Sequence, residues 1–146
     1  MLPFPVALKP GESPYRQVVH AATKAVLSGI LPVGSPFPSV RELSKALKIN
    51  PNTAHKVVAE LVRDGLLTVM PGQGTVVSAA RTASPLERAT LLADPVEQLV
   101  VEARRVGLTR DDVLQAIDAR WTQLFGTDGA PSHDLVDHQS GDHNAA

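Results

Sequence analysis

The side chains with chemistry to offer gather in one short stretch. Asn52, Thr53, His55 and Lys56 follow Asn50 and Pro51 directly. An asparagine amide can bond N6 and N7 of adenine together, and a threonine methyl can meet the methyl of thymine. A lysine is a long point charge better suited to phosphate. Imidazole changes charge near neutral pH, so His55 would make DNA binding pH-sensitive; the alternative is a solvated histidine of no consequence. Upstream, Arg41 can reach a phosphate or a guanine edge, or else pair with a neighbour such as Glu60. Downstream, Gly72 and Gly74 flank Gln73, a tight tip whose backbone can enter a minor groove and whose amide can donate there; the competing reading is that these glycines serve turn geometry alone. Enzyme chemistry has no comparable support. The chain has no Walker-type phosphate loop, no nucleophile elbow and no carboxylate pair in a plausible cleft.

These residues need elements to hold them, and residues 36–77 supply the signals. Ser39, Val40, Arg41 and Glu42 form a Ser-x-x-Glu capping box that opens a helix to about Leu47. Lys48-Ile49 is too short for a free loop, so the next helix must cross the first sharply. Asn50 can N-cap that second helix, and Pro51 fits its first turn. Ala54, Val57, Val58, Leu61 and Val62 recur at helical spacing as the buried stripe, with Asn52, Thr53, His55, Lys56 and Arg63 mainly opposite. Gly65 suits the position after the helix end, where φ is positive. Leu66–Met70 and Thr75–Ser78 are β-prone runs joined by Pro71-Gly72-Gln73-Gly74. Helix, turn, helix and glycine-tipped hairpin make a winged helix-turn-helix, whose second helix fits the major groove. The fold class is mainly α with a small β-hairpin. A plain helical segment with a hairpin, uninvolved with DNA, is the competing reading.

In these residues the chain resembles the GntR family of bacterial transcription regulators. The matching text is Pro14-Tyr15-Arg16-Gln17, Ser28-Gly29-Ile30-Leu31-Pro32-Val33-Gly34, Pro38-Ser39-Val40-Arg41-Glu42-Leu43, Asn52-Thr53, Glu60-Leu61, Asp64-Gly65-Leu66-Leu67 and Gly72-Gln73-Gly74-Thr75-Val76-Val77. The family commonly places Ser-Arg before the Asn-Thr and two arginines after it; this chain has Asn50-Pro51 and His55-Lys56 there. The Asn-Pro-Asn-Thr wording is similar to the YtrA-like branch. That resemblance implies a short helical tail that dimerises, and DNA contact at Arg41 and Thr53. The candidate DNA-binding set is therefore Ser39, Arg41, Asn50 and Asn52, then Thr53, His55 and Lys56, with Gly72, Gln73 and Gly74 on the wing. No catalytic residue and no metal ligand belongs to it.

Before residue 13, the proline-interrupted run 1–12 reads as a mobile or loosely docked arm rather than a signal peptide. Ser13-Pro14 opens a first helix to about Ser28, its buried face being Tyr15, Val18, Val19, Ala22, Val26 and Leu27. Gly29 ends it, Phe37 is a core plug, and His20 is a surface residue. The winged helix-turn-helix unit spans 13–78, and 79–83 is a linker. Ser84-Pro85 then starts a helical region to 125. Inside it Pro95 kinks the helix or lets Asp94 cap a second one. Gly107 closes that segment, and Thr109 opens a last helix with Val113, Leu114, Ile117, Trp121, Leu124 and Phe125 on one stripe. Two amphipathic helices cannot make a core alone, so their stripes need a partner surface. A second copy of the chain is the economical one, meeting through Leu92, Leu99, Val100, Ala103, Val113, Ile117, Trp121 and Leu124; packing back on the winged unit is the alternative. Residues 126–146 form an acidic tail expected to be disordered.

The net charge of −1 hides an uneven distribution. Residues 1–78 hold eight Lys/Arg against four Asp/Glu, and residues 126–146 hold none against four. Positive charge thus sits where a DNA-binding unit needs it. The absence of cysteine excludes disulfides and cysteine zinc sites and fits the cytosol. No apolar run approaches the ~20 residues of a membrane span. His133, His138 and His143 recur every five residues in the tail, a spacing that does not preorganise a metal site. The sequence therefore predicts a homodimeric cytoplasmic regulator, a repressor on a palindromic operator in double-stranded DNA. It predicts no cofactor and no membrane, and any small-molecule effector would need a small pocket such as the dimer seam. The rival is a winged-helix interaction module that docks a protein without binding DNA.

Overall fold

The computed structural model describes residues 1–79 and 83–126, in the order α1 Pro14–Leu27, α2 Val40–Leu47, α3 Pro51–Arg63, β1 Leu67–Met70, β2 Gly74–Val77, α4 Pro85–Leu92, α5 Asp94–Arg105 and α6 Arg110–Phe125. Among the described residues this is a mainly helical chain with one antiparallel hairpin, the winged helix-turn-helix that the sequence predicts, followed by three further helices. The tail histidines and residues 80–82 of the expected linker lie outside the described residues.

Local chemistry sets the helix ends. Ser13, Ser39, Ser84 and Thr109 each accept, through the side-chain oxygen, a backbone N–H three residues on, a cap contributing about 1 kcal/mol. At Thr109 the box is complete, because the Asp112 carboxylate accepts the Thr109 N–H in return. α3 ends in a Schellman arrangement: the Gly65 N–H donates to Val62 O and the Leu66 N–H to Leu61 O, with Gly65 at φ 79°. Between α2 and α3 the chain turns through Lys48, the one non-glycine residue with positive φ (54°) among the described residues.

The core lies where α1, α2, α3 and the hairpin meet. Val18, Ala22, Leu43, Ala54, Val57 and Leu61 are fully enclosed, with Leu67 and Val77 closing the strand side. Phe37 is buried, the core plug the sequence suggests. The buried face of α1 is rotated from the expected one. Ala25 is inside, whereas Leu27 is 52% exposed and Val26 only partly covered. Of the two readings of the arm, mobile or loosely docked, the structure shows it docked. Phe4 is buried, Leu2, Val6 and Leu8 pack on the same core, and the Gln17 amide clasps the arm by accepting the Lys9 N–H and donating to Lys9 O and Glu12 O. A mobile arm would leave Phe4 in water; its burial is worth about 2 kcal/mol or more, enough to hold the segment down.

The hairpin is tied to the lead-in of α2. The register pairs Leu67 with Val77, Thr68 with Val76, Val69 with Thr75 and Met70 with Gly74. The extended segment before α2 adds to the free side of β2. Pro36 bridges Val76, the Phe37 N–H donates to Thr75 O, and the Val77 N–H donates to Ser35 O. A shift of the wing therefore moves the start of α2 with it.

Beyond the wing, α4 and α5 are separate helices rather than one kinked helix. The break is at Ala93 (φ −93°, ψ −99°), and Asp94 is already the first helical residue of α5 instead of its cap. Pro95 lacks the N–H that a continuous helix would use, so the chain must break before it. Leu92, Leu99, Val100, Ile117 and Trp121 are exposed, Val113 and Leu124 partly so, and only Ala103 is buried. Trp121 and Phe125 meet edge to face, ring centroids 5.5 Å apart. α5 and α6 enclose an open apolar groove of about 710 Å³ floored by Leu99, Ala103, Val113, Ile117, Trp121 and Leu124. No helix among the described residues is long and apolar enough to cross a membrane.

Candidate nucleic-acid interface

α3 separates two faces. Ala54, Val57 and Leu61 are buried, and Asn52, His55, Lys56, Ala59 and Arg63 are exposed along one line of the opposite side. That line follows from helical spacing: steps of three and four keep a ridge on one side. Thr53 is half-buried at the edge of the ridge. The ridge begins at the N-terminal end of the helix, where unpaired backbone N–H groups and the helix dipole present positive potential. No acidic residue occupies the first turn of α3 to cancel it.

Two of the candidate residues have structural duties as well. Asn50 Oδ1 accepts the Asn52 N–H at 2.8 Å, which caps α3 and leaves the Asn50 side-chain N–H pair as its donors. Ser39 Oγ accepts the Glu42 N–H at 3.1 Å, which caps α2, while the hydroxyl proton stays available to an acceptor. Arg41 is exposed in the first turn of α2. The alternative pairing of Arg41 with Glu60 is not formed. Glu60 Oε1 lies 3.6 Å from Arg63 Nη2 on its own helix instead, because residues three apart on a helix are already neighbours.

The wing tip is Pro71-Gly72-Gln73. The Gln73 N–H donates to Met70 O at 3.1 Å across a turn with proline second and glycine third, Gly72 having φ 75° and Gly74 φ 80°. Proline fixes the second position of such a turn and only glycine enters the third without strain. A Cβ at either glycine would meet nothing within 4 Å. Conformation, not crowding in the free protein, thus requires them, and the space around the tip is open to a ligand.

Ser39, Arg41, Asn50, Asn52, His55 and Lys56 are thus each exposed on the helix-turn-helix, Thr53 is half-buried, and Gly72, Gln73 and Gly74 are exposed on the wing. Sequence reasoning missed Ala59. Its place seven residues after Asn52 on the same ridge is the signal that could have revealed it, since an exposed alanine lets a helix approach bases closely and can meet a thymine methyl.

Comparison with known proteins agrees with this geometry. Residues 14–77 match the family model described as bacterial regulatory proteins, gntR family. The HTH-type transcriptional repressor YtrA of Bacillus subtilis is 34% identical over 95 residues, 64% of this chain and 73% of that protein. The uncharacterized HTH-type transcriptional regulator YhcF of the same organism is 31% identical over 94 residues, 64% of this chain and 77% of that protein. Among solved structures, a transcriptional antiterminator from Listeria monocytogenes superposes with a TM-score of 0.74 at 23% identity, covering 88% of this chain and 96% of its own. A transcriptional regulator from Oenococcus oeni gives 0.54 at 24% identity, over 79% of this chain and 96% of its own. The two structures share the fold; the match to the family model and to two regulators over most of their length shows that the chain belongs to the GntR family.

Proposed function

We propose that the protein is a sequence-specific DNA-binding transcription regulator, a homodimeric repressor acting in the cytoplasm. The observation that carries this reading is the exposed ridge of α3, polar and cationic along a helix whose other side is locked into the core. Asn52 and Thr53 read base edges, Lys56 and Arg41 engage phosphate or guanine, and Ser39 and Asn50 hold the helix starts against the backbone. His55 and Ala59 lie on the same ridge, and the Gly72-Gln73-Gly74 tip follows the neighbouring minor groove. The relative YtrA bears the name of a repressor, which favours repression by occupation of promoter DNA.

Dimerisation rests on the apolar floor between α5 and α6. Leu92, Leu99, Val100, Ile117 and Trp121 are all exposed on α4, α5 and α6, and clustered apolar side chains in water favour a partner surface. A second copy covers them and supplies the two-fold symmetry that a palindromic operator needs, with half-sites about 34 Å apart. Selection of bound sequences from random duplex DNA tests the reading. The expected product is an inverted repeat whose affinity falls steeply as salt rises. Recovery of no preferred sequence, together with salt-insensitive binding, would favour a protein-docking module instead.

A further inference from the structure

The amino-terminal arm also walls a cleft of its own. Segment 4–12 is fixed at both ends. Phe4 is buried against Phe37. The Gln17 amide grips the Lys9 backbone twice, accepting its N–H at 2.6 Å and donating to its carbonyl at 3.1 Å, and also donates to Glu12 O at 3.2 Å. Between these anchors the arm and α1 enclose a cleft of about 550 Å³, a size common among small-molecule sites. Pro5, Val6 and Ala21 give it an apolar wall, and Lys9, His20 and Lys24 line it together with Glu12. Gln17, His20 and Lys24 reach one side of α1 by steps of three and four, whereas Val18, Ala22 and Ala25 face the core. The cleft shares no residue with the α3 ridge, the start of α2 or the wing. Among the described residues, none of Lys9, Glu12, His20 and Lys24 is in an ion pair. Two ammonium groups and an imidazole thus line one concave surface against a single carboxylate.

We propose that this cleft binds a small organic phosphomonoester and, resting on the DNA-binding reading, that its occupation strengthens operator binding. The donor set selects the chemistry. Phosphate is met well by the point charges of ammonium groups. A carboxylate ligand is best met by the planar fork of arginine, and no arginine lines the cleft. The apolar wall receives the carbon skeleton behind the phosphate, and Glu12 accepts a hydroxyl from it. A ligand held by Lys9 of the arm and Lys24 of α1 binds only while the arm is docked, so it stabilises the docked state by mass action. Docking keeps Phe4 on Phe37, and the Phe37 segment leads through Pro38 to Ser39 and the first turn of α2, where Arg41 stands. The ligand therefore favours the arrangement in which α2 is set for DNA.

The test follows the backbone amide resonances of the full-length protein as inorganic phosphate or glycerol monophosphate is added, with sodium chloride at matched ionic strength as the control. The expected result is saturable shifts at Lys9, Gln17, His20 and Lys24 that chloride does not reproduce. Lys9→Gln and Lys24→Gln should each lower affinity for glycerol monophosphate about tenfold. Both positions are exposed, and thermal unfolding without probe verifies that the fold persists. On the duplex recovered by selection from random DNA, saturating glycerol monophosphate should raise wild-type affinity about fivefold. Lys24→Gln should lose that rise while binding DNA normally in chloride alone. Shifts no larger than those in chloride, or equal probe affinity for wild type and both variants, overturn the site. A flatter salt dependence of DNA binding for Lys24→Gln without probe also overturns it, because the cleft would then hold DNA backbone. Cleft-confined binding that leaves operator affinity unchanged upholds the site and overturns its regulatory role. Failure of the wild-type protein to bind any duplex overturns the DNA-binding reading and that role together, while the amide shifts still decide the site.

Discussion

Phe4 stacks on Phe37, ring centroids 5.6 Å apart and planes inclined by 20°. One ring comes from the amino-terminal arm, and the other from the extended segment that pairs with β2 and leads through Pro38 and Ser39 into α2. The arm thus buttresses the start of the helix that carries Arg41. Phe4→Ala should destabilise the winged unit by about 3 kcal/mol, the usual cost of deleting a buried ring. Chemical denaturation measures this directly; a loss near zero would show that the arm is dispensable.

Lys48 holds a left-handed backbone at φ 54° in the turn between α2 and α3. That conformation costs a side-chain-bearing residue about 1–2 kcal/mol, offset in part by the extra chain entropy that glycine loses on folding. Lys48→Gly should therefore stabilise the protein by about 0.5–1 kcal/mol and raise its melting temperature by a few degrees. Lys48→Ala keeps the strain and should give no such gain, so the pair of variants separates backbone relief from loss of charge.

Asp112 has its carboxyl held below the ordinary aspartate value of 3.8, first by the hydrogen bond from the Thr109 backbone and then by that from its side chain. A lowered folded-state value means that the ionised form stabilises the folded helix. The contribution is fully present above pH 3.8 and disappears as pH falls through the lower folded-state value. Asp112→Asn should thus reduce the helicity of α6 at pH 7, and the difference from wild type should vanish in acid. Circular dichroism across that range checks the sign; a difference that grew on acidification would contradict it.

Asn52 and Lys56 stand on one ridge with different chemistry. Asn52→Ala should change which sequences are selected, while Lys56→Ala should weaken all sequences alike. Arg41→Ala should cost about 1–3 kcal/mol of binding without loss of fold. Selection followed by titration distinguishes these outcomes, and an altered preferred sequence for Lys56→Ala alone would reverse the two roles.

Ile117 is exposed in the groove between α5 and α6. Ile117→Glu should leave the monomer folded, because the side chain is not part of its core. It should abolish dimerisation, because a buried unpaired carboxylate is costly at an interface. Sedimentation should show a monomer, and operator affinity should fall by a factor of about 100 or more as the linked second half-site is lost. A variant that stays dimeric would move the interface elsewhere.

Much of this protein was legible in the order of its residues because the deciding interactions are short-range. Ser39 finds the Glu42 N–H three residues away, Pro51 tolerates a first helical turn, Gly65 takes a positive φ that its neighbours would resist, and the apolar steps of α3 set its exposed ridge as surely as its buried one. Each of these is settled within a turn of the chain. Other features depend on contacts that no local pattern encodes. Phe4 is buried because a ring far along the chain is there to receive it. Ala25 is buried and Leu27 exposed although both belong to the apolar residues of α1, because burial follows the surface that packs there rather than the pattern alone. Val69 is exposed, though it shares a face with Leu67, because the hairpin outreaches the core. Helix ends and turns are decided by hydrogen bonds over three or four residues, but burial is decided by which distant surfaces arrive, and only the tertiary structure determines that.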